Sequence, residues 1–286
     1  MAEIIDVSYA CDRYASALKA AGVRTVFRYY TRDSAPTSEK RLSRAEALGL
    51  SAAGLRLCVV HEGRHGDQID NFDELTGLKD GAYARTYAAF TIGQPAESAI
   101  YFGVDTDASA AEVESAVIPY FKGVAQAFAA ATGEPAYTIG AYGSGATCQA
   151  LLDAGLVKLT WLAQSSKWRG SPQFLLSGRW TLQQQRGDSI AGVDCDPSVA
   201  AEDADIGDFE LAGAAVPPQA VAVAKTVTAR SGLKLRSGPG TEFQELRLLP
   251  LGTTVHAMRQ VGDWTLVSLV GDGAADGYVS SGFLSG

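Results

Sequence analysis

Short apolar runs alternate with helix-like segments over the first two thirds of the chain. Runs such as EIIDVSY, RTVFRYY, LRLCVVHEG and SAIYFGVD have the length and β-branched content of buried strands. The segments between them carry helix signals, such as the capping-box spacing of Ser43 and Glu46. Strands that alternate with helices predict a parallel sheet with right-handed crossovers. Eight strand-like runs in about 200 residues predict a closed (β/α)8 TIM-like barrel.

The pattern changes near residue 211. Residues 211–224, LAGAAVPPQAVAVA, contain a Pro-Pro step and predict a linker. From Lys225 onward, short strands are separated by Gly and Pro turns, which is typical of a small all-β barrel. We therefore expect a barrel domain over residues 1–210, a linker over 211–224 and a β domain over 225–286.

Carboxylates follow four of the strand-like runs in the barrel region. They are Asp6, Glu62, Asp105, Asp107, Asp194 and Asp196. Because an α/β barrel gathers its active site at the carboxyl ends of its strands, we expect these side chains to share one pocket. Crowding and burial should raise the pKa of at least one of them, leaving a protonated acid beside ionised carboxylates. Glycoside cleavage uses such a pair.

Other side chains at the same strand ends are candidates for holding a sugar. Five aromatic residues stand near the predicted mouth, namely Tyr9, Tyr29, Tyr30, Tyr142 and Trp161. Sugar rings stack on such flat surfaces, although barrel cores contain the same residues. Residues two apart on a strand face the same way. The expected substrate-binding residues are Tyr30, Tyr142, Trp161, Gln183, Gln185, Asp194 and Asp196.

Some of these features have a structural alternative. Asp107 and Asp196 stand where aspartate often caps a following helix. Carboxylates at strand ends can also hold Mg²⁺ or Ca²⁺, but no histidine or Asn-rich ligand cluster accompanies them. The four cysteines lack metal-binding spacing and are expected to be buried free thiols. We expect neither a metal nor another cofactor.

The net charge and the hydropathy of the chain limit the classes of partner that we expect. The net charge of −8 argues against nucleic acid, and no apolar run reaches the roughly 20 residues of a membrane helix. Residues 1–224 carry 18 basic and 27 acidic residues, against six and five in 225–286. The start, MAEIIDVSY, lacks the features of a secretory signal. We expect action at the cell wall or periplasm after non-standard export or lysis.

The order of the barrel motifs resembles the glycoside-hydrolase-like family known as DUF1906, which is related in fold to the family 25 lysozymes. The matching motifs lie between residues 3 and 209 and are IDVSY, VVHEG, IYFGVDTD, GAYGSG, WLAQSS, QQQ and GVDCD. The resemblance implies a (β/α)8-type barrel with a carboxylate pocket. It also implies that peptidoglycan or a related polysaccharide is the substrate.

The resemblance also implies roles for single residues. Asp6 matches the first-strand Asp of the lysozymes, and Asp194 matches a late-strand Asp. The lysozymes carry Asp-x-Glu on the fourth strand, with Glu as the general acid, whereas this chain has Asp105-Thr106-Asp107. Because Asp107 is shorter by one methylene, Glu62 after the apolar run LCVV is a second candidate for the acid. Asp105 or Asp6 would stabilise the positive charge on the sugar.

The tail resembles a bacterial SH3 domain. The motifs LKLRSGPGTEF, LPLGTTV, GDW and GYVSSGFL stand in the order that this family uses. Such domains commonly bind cell-wall peptides, which implies a muramidase-like hydrolase with a wall-binding SH3 domain. The alternative is a non-catalytic protein that binds wall carbohydrate, because the position of the general acid has changed.

Overall fold

The computed structural model describes residues 2–31, 40–63, 66–130, 134–211, 223–271, 273 and 275–286. The predicted linker falls mostly on residues 212–222, which lie outside the described residues. The described strands form two sheets that have no strand in common. This confirms a TIM-like barrel followed by a small all-β unit.

The helices are α1 (Ala15–Ala20), α2 (Arg44–Ala52), α3 (Glu74–Thr86), α4 (Ala110–Glu112), α5 (Ile118–Ala129), α6 (Gly145–Asp153) and α7 (Ser171–Ser177). Two π-helical turns continue this framework, Tyr87–Ile92 after α3 and Val113–Val117 between α4 and α5. The strands of the first sheet are β1 (Ile4–Asp6), β2 (Thr25–Tyr29), β3 (Arg56–His61), β4 (Ala99–Gly103), β5 (Thr138–Gly143), β6 (Leu159–Leu162), β7 (Leu182–Gln184), β8 (Asp188–Ile190) and β9 (Val193–Ala200).

The first sheet closes into an eight-stranded barrel made of β1 to β7 and β9. Strands β1 to β7 pair in parallel in chain order, whereas β9 pairs antiparallel with both β7 and β1. The all-parallel expectation is therefore wrong for the last strand. The cause is a tight β8–β9 hairpin, in which Ala191 and Gly192 both have positive φ. Asp196 thus lies near the start of its strand, yet still opposite Asp6.

Aromatic side chains fill the barrel below its mouth. Phe27, Tyr101 and Trp161 are at most 2% exposed, and the Phe27 and Trp161 rings lie 4.4 Å apart. These rings pack with Leu182 and Cys58 from neighbouring strands. The mouth is therefore a cleft with a closed floor, as in other α/β barrels whose interior is a packed core.

Helices α3 and α5 pack against β3 and β4, the strands that lead to Glu62 and Asp105. Phe102 of β4 contacts Phe121 of α5, with ring centroids 6.3 Å apart. The two helices approach so closely that a Cβ atom on Gly77 would lie 1.9 Å from the Tyr120 carbonyl oxygen. This contact needs glycine, because any side chain would push the helices apart.

The second sheet is antiparallel and contains seven strands. They are β10 (Val223–Val227), β11 (Leu233–Arg236), β12 (Glu245–Leu249), β13 (Thr254–Val261), β14 (Trp264–Ser268), β15 (Gly277–Ser280) and β16 (Leu284–Ser285). Small aliphatic side chains form its core, including Val227, Leu235, Val255, Val267 and Val279. The second sheet therefore has a core of its own.

The second sheet docks on the barrel beside the end of α3. The Tyr278 hydroxyl donates to Glu134 Oε1 at 2.7 Å, and Glu134 also pairs with Arg85. Both members of this ion pair have side chains that are only 1% exposed. The Arg259 guanidinium lies 4.9 Å above the Phe90 ring. The interface between the barrel and the second sheet is thus partly buried and contains an ion pair. The two units therefore contact each other through identified side chains.

We predict that Tyr278→Phe destabilises the full chain by about 1.5–3 kcal/mol, the usual worth of a hydrogen bond to a charged group. The variant leaves Glu134 buried with one donor fewer. Urea unfolding measures the change. Tyr14→Phe removes a hydroxyl outside this interface and is the matched control. Equal stabilities of the two variants would show that the contact adds nothing.

Candidate active site

Carboxylates from opposite sides of the barrel meet at the carboxyl ends of the parallel strands. Asp6 ends β1 and faces Asp196 of β9 across their strand pairing. The charges of Asp196 and Glu62 both raise the pKa of Asp6, and the charge of Glu62 also raises that of Asp105. The structure therefore brings together Asp6, Glu62, Asp105 and Asp196.

A central cavity of about 200 Å³ opens beside Asp105 and Asp196, and Glu62 is not part of its lining. Its lining includes Tyr29, Asp105, Tyr142, Gln184 and Asp196, with Trp161 below. A flanking cavity of about 430 Å³ reaches Asp6, and another of about 440 Å³ lies along residues 163–168. The three cavities share lining residues, so they form one continuous cleft.

Asp6 is the most buried of the carboxylates, at 5% exposure. The Tyr29 hydroxyl donates to its Oδ1 at 2.7 Å, and Gln184 Nε2 donates to its Oδ2 at 3.0 Å. Burial raises the pKa of Asp6 to about 6, although the two hydrogen bonds oppose that rise. Asp6 can therefore change its charge close to neutral pH.

Asp105 opens more directly onto the cleft. Loss of surrounding water raises its pKa, and the charges of Glu62 and Asp67 raise it further. The Tyr142 hydroxyl, which donates to Gln184 Oε1 at 2.9 Å, also interacts with Asp105 and lowers this pKa. Asp105 thus combines access to a ligand with a pKa above that of an ordinary aspartate.

Glu62 faces a cation instead of the apolar surroundings that the run LCVV suggested. Lys40 Nζ donates to Glu62 Oε2 at 2.8 Å. The same ammonium group lies 4.4 Å from the centre of the Tyr29 ring. The carboxylate of Glu62 is therefore engaged by a lysine from the segment before α2.

Tyr30 lies outside the cleft, so its prediction as a substrate-binding residue is wrong. It is fully buried, and its hydroxyl donates to Gln94 Oε1 at 2.7 Å. Its ring packs against Tyr87 in the layer between barrel and helices. Because side chains alternate along β2, Tyr29 is the residue that points into the mouth.

The same shift of one position affects β7. Gln184 contacts Asp6 and Tyr142 in the cleft, whereas the prediction chose its neighbours Gln183 and Gln185. Gln185 Nε2 instead donates to the Gln183 carbonyl at 3.4 Å. The run QQQ shows no polarity difference that would reveal which glutamine faces inward.

Asp107 is turned toward the loop before α7. Its carboxylate accepts from the Arg169 backbone N–H and from Arg169 Nη1, both at 2.7 Å. It does not cap the following helix, because Ser109 and Glu112 form that capping box. The structure therefore supports neither the acid role nor the capping alternative for Asp107.

Asp194 and Asp196 both follow the β8–β9 hairpin, but their surroundings differ. Asp194 is exposed and lines the flanking cavity near Asp6, while Asp196 also lines the central one. Asp196 lies within β9, so the expectation that it caps a helix is wrong.

Tyr142 and Trp161, which are expected to bind substrate, both line the central cavity. Tyr142 borders two of the cavities and is only partly buried. Trp161 is 2% exposed, and its indole N–H donates to Ser198 Oγ at 3.0 Å. It forms part of the floor, with little surface free for stacking.

Several lining residues had no sequence signal. Lys40 lies before α2 and outside every motif. Gln184 lies within QQQ, but the prediction named its two neighbours. The segment from Gln164 to Trp168 lines a whole flanking cavity. The sequence of this loop, QSSKW, partly overlaps the motif WLAQSS. That motif indicated the end of a strand but gave the loop no role.

Two further expectations concern the cysteines and metal binding. All four cysteines are buried and free. Over the described ranges, no group of three or more His, Cys, Asp and Glu side chains is arranged to hold a metal ion. In the same residues, no helix is long and apolar enough to cross a membrane.

Two known protein families match parts of this chain. The family described as Rv2525c-like, glycoside hydrolase-like domain matches residues 16–212. The chain belongs to this family. A bacterial SH3 domain matches residues 231–285. The glycoside hydrolase-like domain thus contains most of the barrel, and the SH3 domain contains most of the second sheet.

Relatives of this family match the chain over its barrel. The uncharacterized proteins YbfG and FadG of Bacillus subtilis (strain 168) are 31% and 28% identical over 177 and 171 residues. Each match covers 59% of this chain, but only 24% of YbfG and 29% of FadG. The chain therefore spans less than a third of those proteins.

A solved structure shows the same fold. It is the Tat-secreted protein Rv2525c of Mycobacterium tuberculosis in complex with L-tartrate, with a TM-score of 0.59 and 21% identity. The match covers 72% of this chain and 97% of that protein.

We predict that Asp6→Asn changes how stability depends on pH. A carboxyl group whose pKa is raised by folding contributes its stabilisation fully below the unfolded pKa and loses it as pH rises through the folded pKa. For Asp6 this window runs from 3.8 to about 6, which corresponds to roughly 3 kcal/mol. The stability of the variant relative to wild type should therefore rise by about that amount between pH 4 and pH 7.

Urea unfolding at several pH values measures this difference. Asp194→Asn removes an exposed carboxylate at the same mouth and controls for the loss of one charge. A constant difference between Asp6→Asn and wild type across this range would show that Asp6 titrates as an ordinary carboxyl.

Proposed function

We propose that this protein is a glycoside hydrolase acting on bacterial cell-wall glycan, with the SH3 domain as its wall-binding unit. The barrel would occupy residues 1–210 and the SH3 domain 225–286. The observation that carries the proposal is one cleft in which Asp105 lines the central cavity while Asp6, whose pKa burial raises to about 6, lines the cavity beside it. An acid and a carboxylate that flank a bound sugar are what glycoside cleavage requires.

Within this proposal, Asp105 is the general acid. It lines both the central cavity and the neighbouring one, so a glycosidic oxygen bound between them can reach it. Loss of surrounding water raises its pKa above that of an ordinary aspartate. Glu62 and Asp107 are weaker candidates, because Lys40 and Arg169 occupy their carboxylates.

Asp6 is suited to stabilise the positive charge that develops on the sugar. Its two hydrogen bonds fix the carboxylate, and its pKa of about 6 leaves it largely ionised at pH 7. A carboxylate held rigidly in a water-poor cleft interacts strongly with such a charge.

A second candidate function is wall-carbohydrate binding without cleavage. The observation that favours it is the engagement of Asp107, the residue at the lysozyme acid position, by Arg169. If Asp105 cannot replace it as the proton donor, the cleft would bind glycan and leave it intact.

We predict that Asp105→Asn lowers the rate of glycan cleavage about 10²–10⁴-fold, the usual contribution of a general acid. Asp107→Asn is the matched control, since it makes the same change two residues away and should alter the rate far less. The measurement is the appearance of new reducing ends in purified peptidoglycan. Equal rates for the two variants would remove Asp105 from the acid role.

The wild-type protein decides between the two candidate functions in the same assay. New reducing ends support the hydrolase. If none form across a panel of wall glycans while the protein still sediments with them, the non-catalytic binding function replaces it.

We predict that deleting residues 225–286 weakens binding to whole cell walls but spares cleavage of short soluble fragments. The remaining part carries 18 basic and 27 acidic residues and would be repelled by wall phosphates. Co-sedimentation with walls measures binding. Circular dichroism checks the barrel, because the deletion uncovers Phe90 and Glu134. Undiminished sedimentation of a folded truncated protein would contradict the wall-binding role.

A further inference from the structure

The flanking cavity of about 440 Å³ lies along the segment between β6 and α7. It shares Asp105, Tyr142 and Gln164 with the central cavity. Its volume falls within the roughly 300–1,000 Å³ that small-molecule sites occupy. A ligand that reaches Asp105 from the central cavity can therefore extend directly into this one.

Trp168 is the aromatic side chain that this segment contributes to the cavity. It is partly buried, whereas Trp161 is 2% exposed and belongs to the floor. The indole N–H groups of Trp161 and Trp180 donate to Ser198 Oγ and to the Leu175 carbonyl. Among the residues that the structure describes, none accepts from the Trp168 N–H, and no ring or cation stacks on its face. The Trp168 indole is therefore available to a ligand.

The backbone on both sides of Trp168 is held in place. Its N–H donates to the Ser165 carbonyl at 3.2 Å, and its carbonyl accepts from the Ser171 N–H at 3.1 Å. The next carbonyl along the chain, that of Arg169, accepts from the Ala146 N–H of α6 at 2.8 Å. Because these bonds order the segment before a ligand arrives, stacking on the indole costs little additional conformational entropy.

The rest of the lining suits a sugar better than an apolar ligand. The same segment also lines the cavity with four polar residues, Gln164, Ser165, Ser166 and Lys167. A pyranose ring has an apolar face that can lie on an aromatic ring and a rim of hydroxyls that needs hydrogen-bond partners. An aromatic surface bordered by polar groups matches both requirements. A purely apolar ligand would instead bury these polar groups without partners.

We propose that Trp168 is the stacking platform of a sugar-binding subsite beside Asp105, which holds one pyranose ring of the glycan chain. The proposal deepens the proposed function and rests on it for the identity of the glycan. The stacked ring is next to the bond that faces Asp105 and is not itself altered. Trp168 therefore binds the substrate and the transition state alike, so its loss should raise KM and leave kcat nearly unchanged.

The test titrates the full chain with peptide-free glycan strands of peptidoglycan and follows the indole N–H signals by nitrogen-15 NMR. These strands lack the peptide that an SH3 domain would bind. The Trp168 signal, assigned by its loss in Trp168→Phe, should move as strands are added. The signals of Trp180 and Trp264, which line none of the three cavities of the cleft, should stay in place.

Variants measure how much the platform contributes. Trp168→Ala should raise the Kd for the strands about tenfold, and Trp168→Phe, which keeps a flat ring, should restore most of the affinity. Tyr14→Ala removes a partly buried ring elsewhere on the barrel and should leave the Kd unchanged. In the reducing-end assay, Trp168→Ala should raise KM by a similar factor while kcat stays close to wild type.

A Kd that is the same in Trp168→Ala and wild type would overturn the proposal, as would strands that shift other barrel signals and leave the Trp168 signal in place. Neither result bears on cleavage, which the reducing-end assay measures separately. Strands that shift the Trp168 signal but are never cut would contradict the hydrolase and leave the subsite intact. Strands that bind nowhere would overturn both. Amide spectra show whether each variant is folded, and the wild-type titration keeps the test decisive if Trp168→Ala is not.

Discussion

The buried ion pair of Arg28 and Glu46 is the interaction on which the arrangement of the mouth depends. Burying two charges is costly unless their geometry and remaining hydrogen bonds are satisfied. Here the guanidinium binds both carboxylate oxygens and two backbone carbonyls, and Glu46 also accepts from the Cys11 N–H. The pair thereby joins β2 to α2 and to Val7, just after β1, in the layer between the barrel and the helices. Loss of either partner would leave a buried charge without its counter-ion.

The way in which the barrel closes also determines where the carboxylates of the cleft lie. Because β9 runs antiparallel after a tight hairpin, the chain brings Asp196 to the mouth from the start of a strand instead of its end. The carboxylates then crowd around Asp6, whose burial and neighbours raise its pKa to about 6.

The SH3 domain is attached to the barrel by side-chain contacts as well as by the polypeptide chain. Tyr278 and Arg259 meet Glu134 and Phe90 of the barrel, so part of the SH3 surface is already occupied within the molecule. A ligand of the SH3 domain would therefore bind outside this surface or compete with the barrel for it.

The sequence by itself determined the alternating architecture, the change to an all-β unit after residue 211 and the strand ends at which Asp6, Glu62 and Asp105 lie. These follow from local hydrophobic periodicity and from the rule that barrel sites lie at the carboxyl ends of strands. Only the tertiary structure decided which side of each strand faces the cleft, because one residue of register exchanges Tyr29 for Tyr30 and Gln184 for Gln183. It also decided the partners of the carboxylates. Lys40 and Arg169 reach Glu62 and Asp107 from loops distant in sequence, and such long-range pairs leave no periodic signal in the chain.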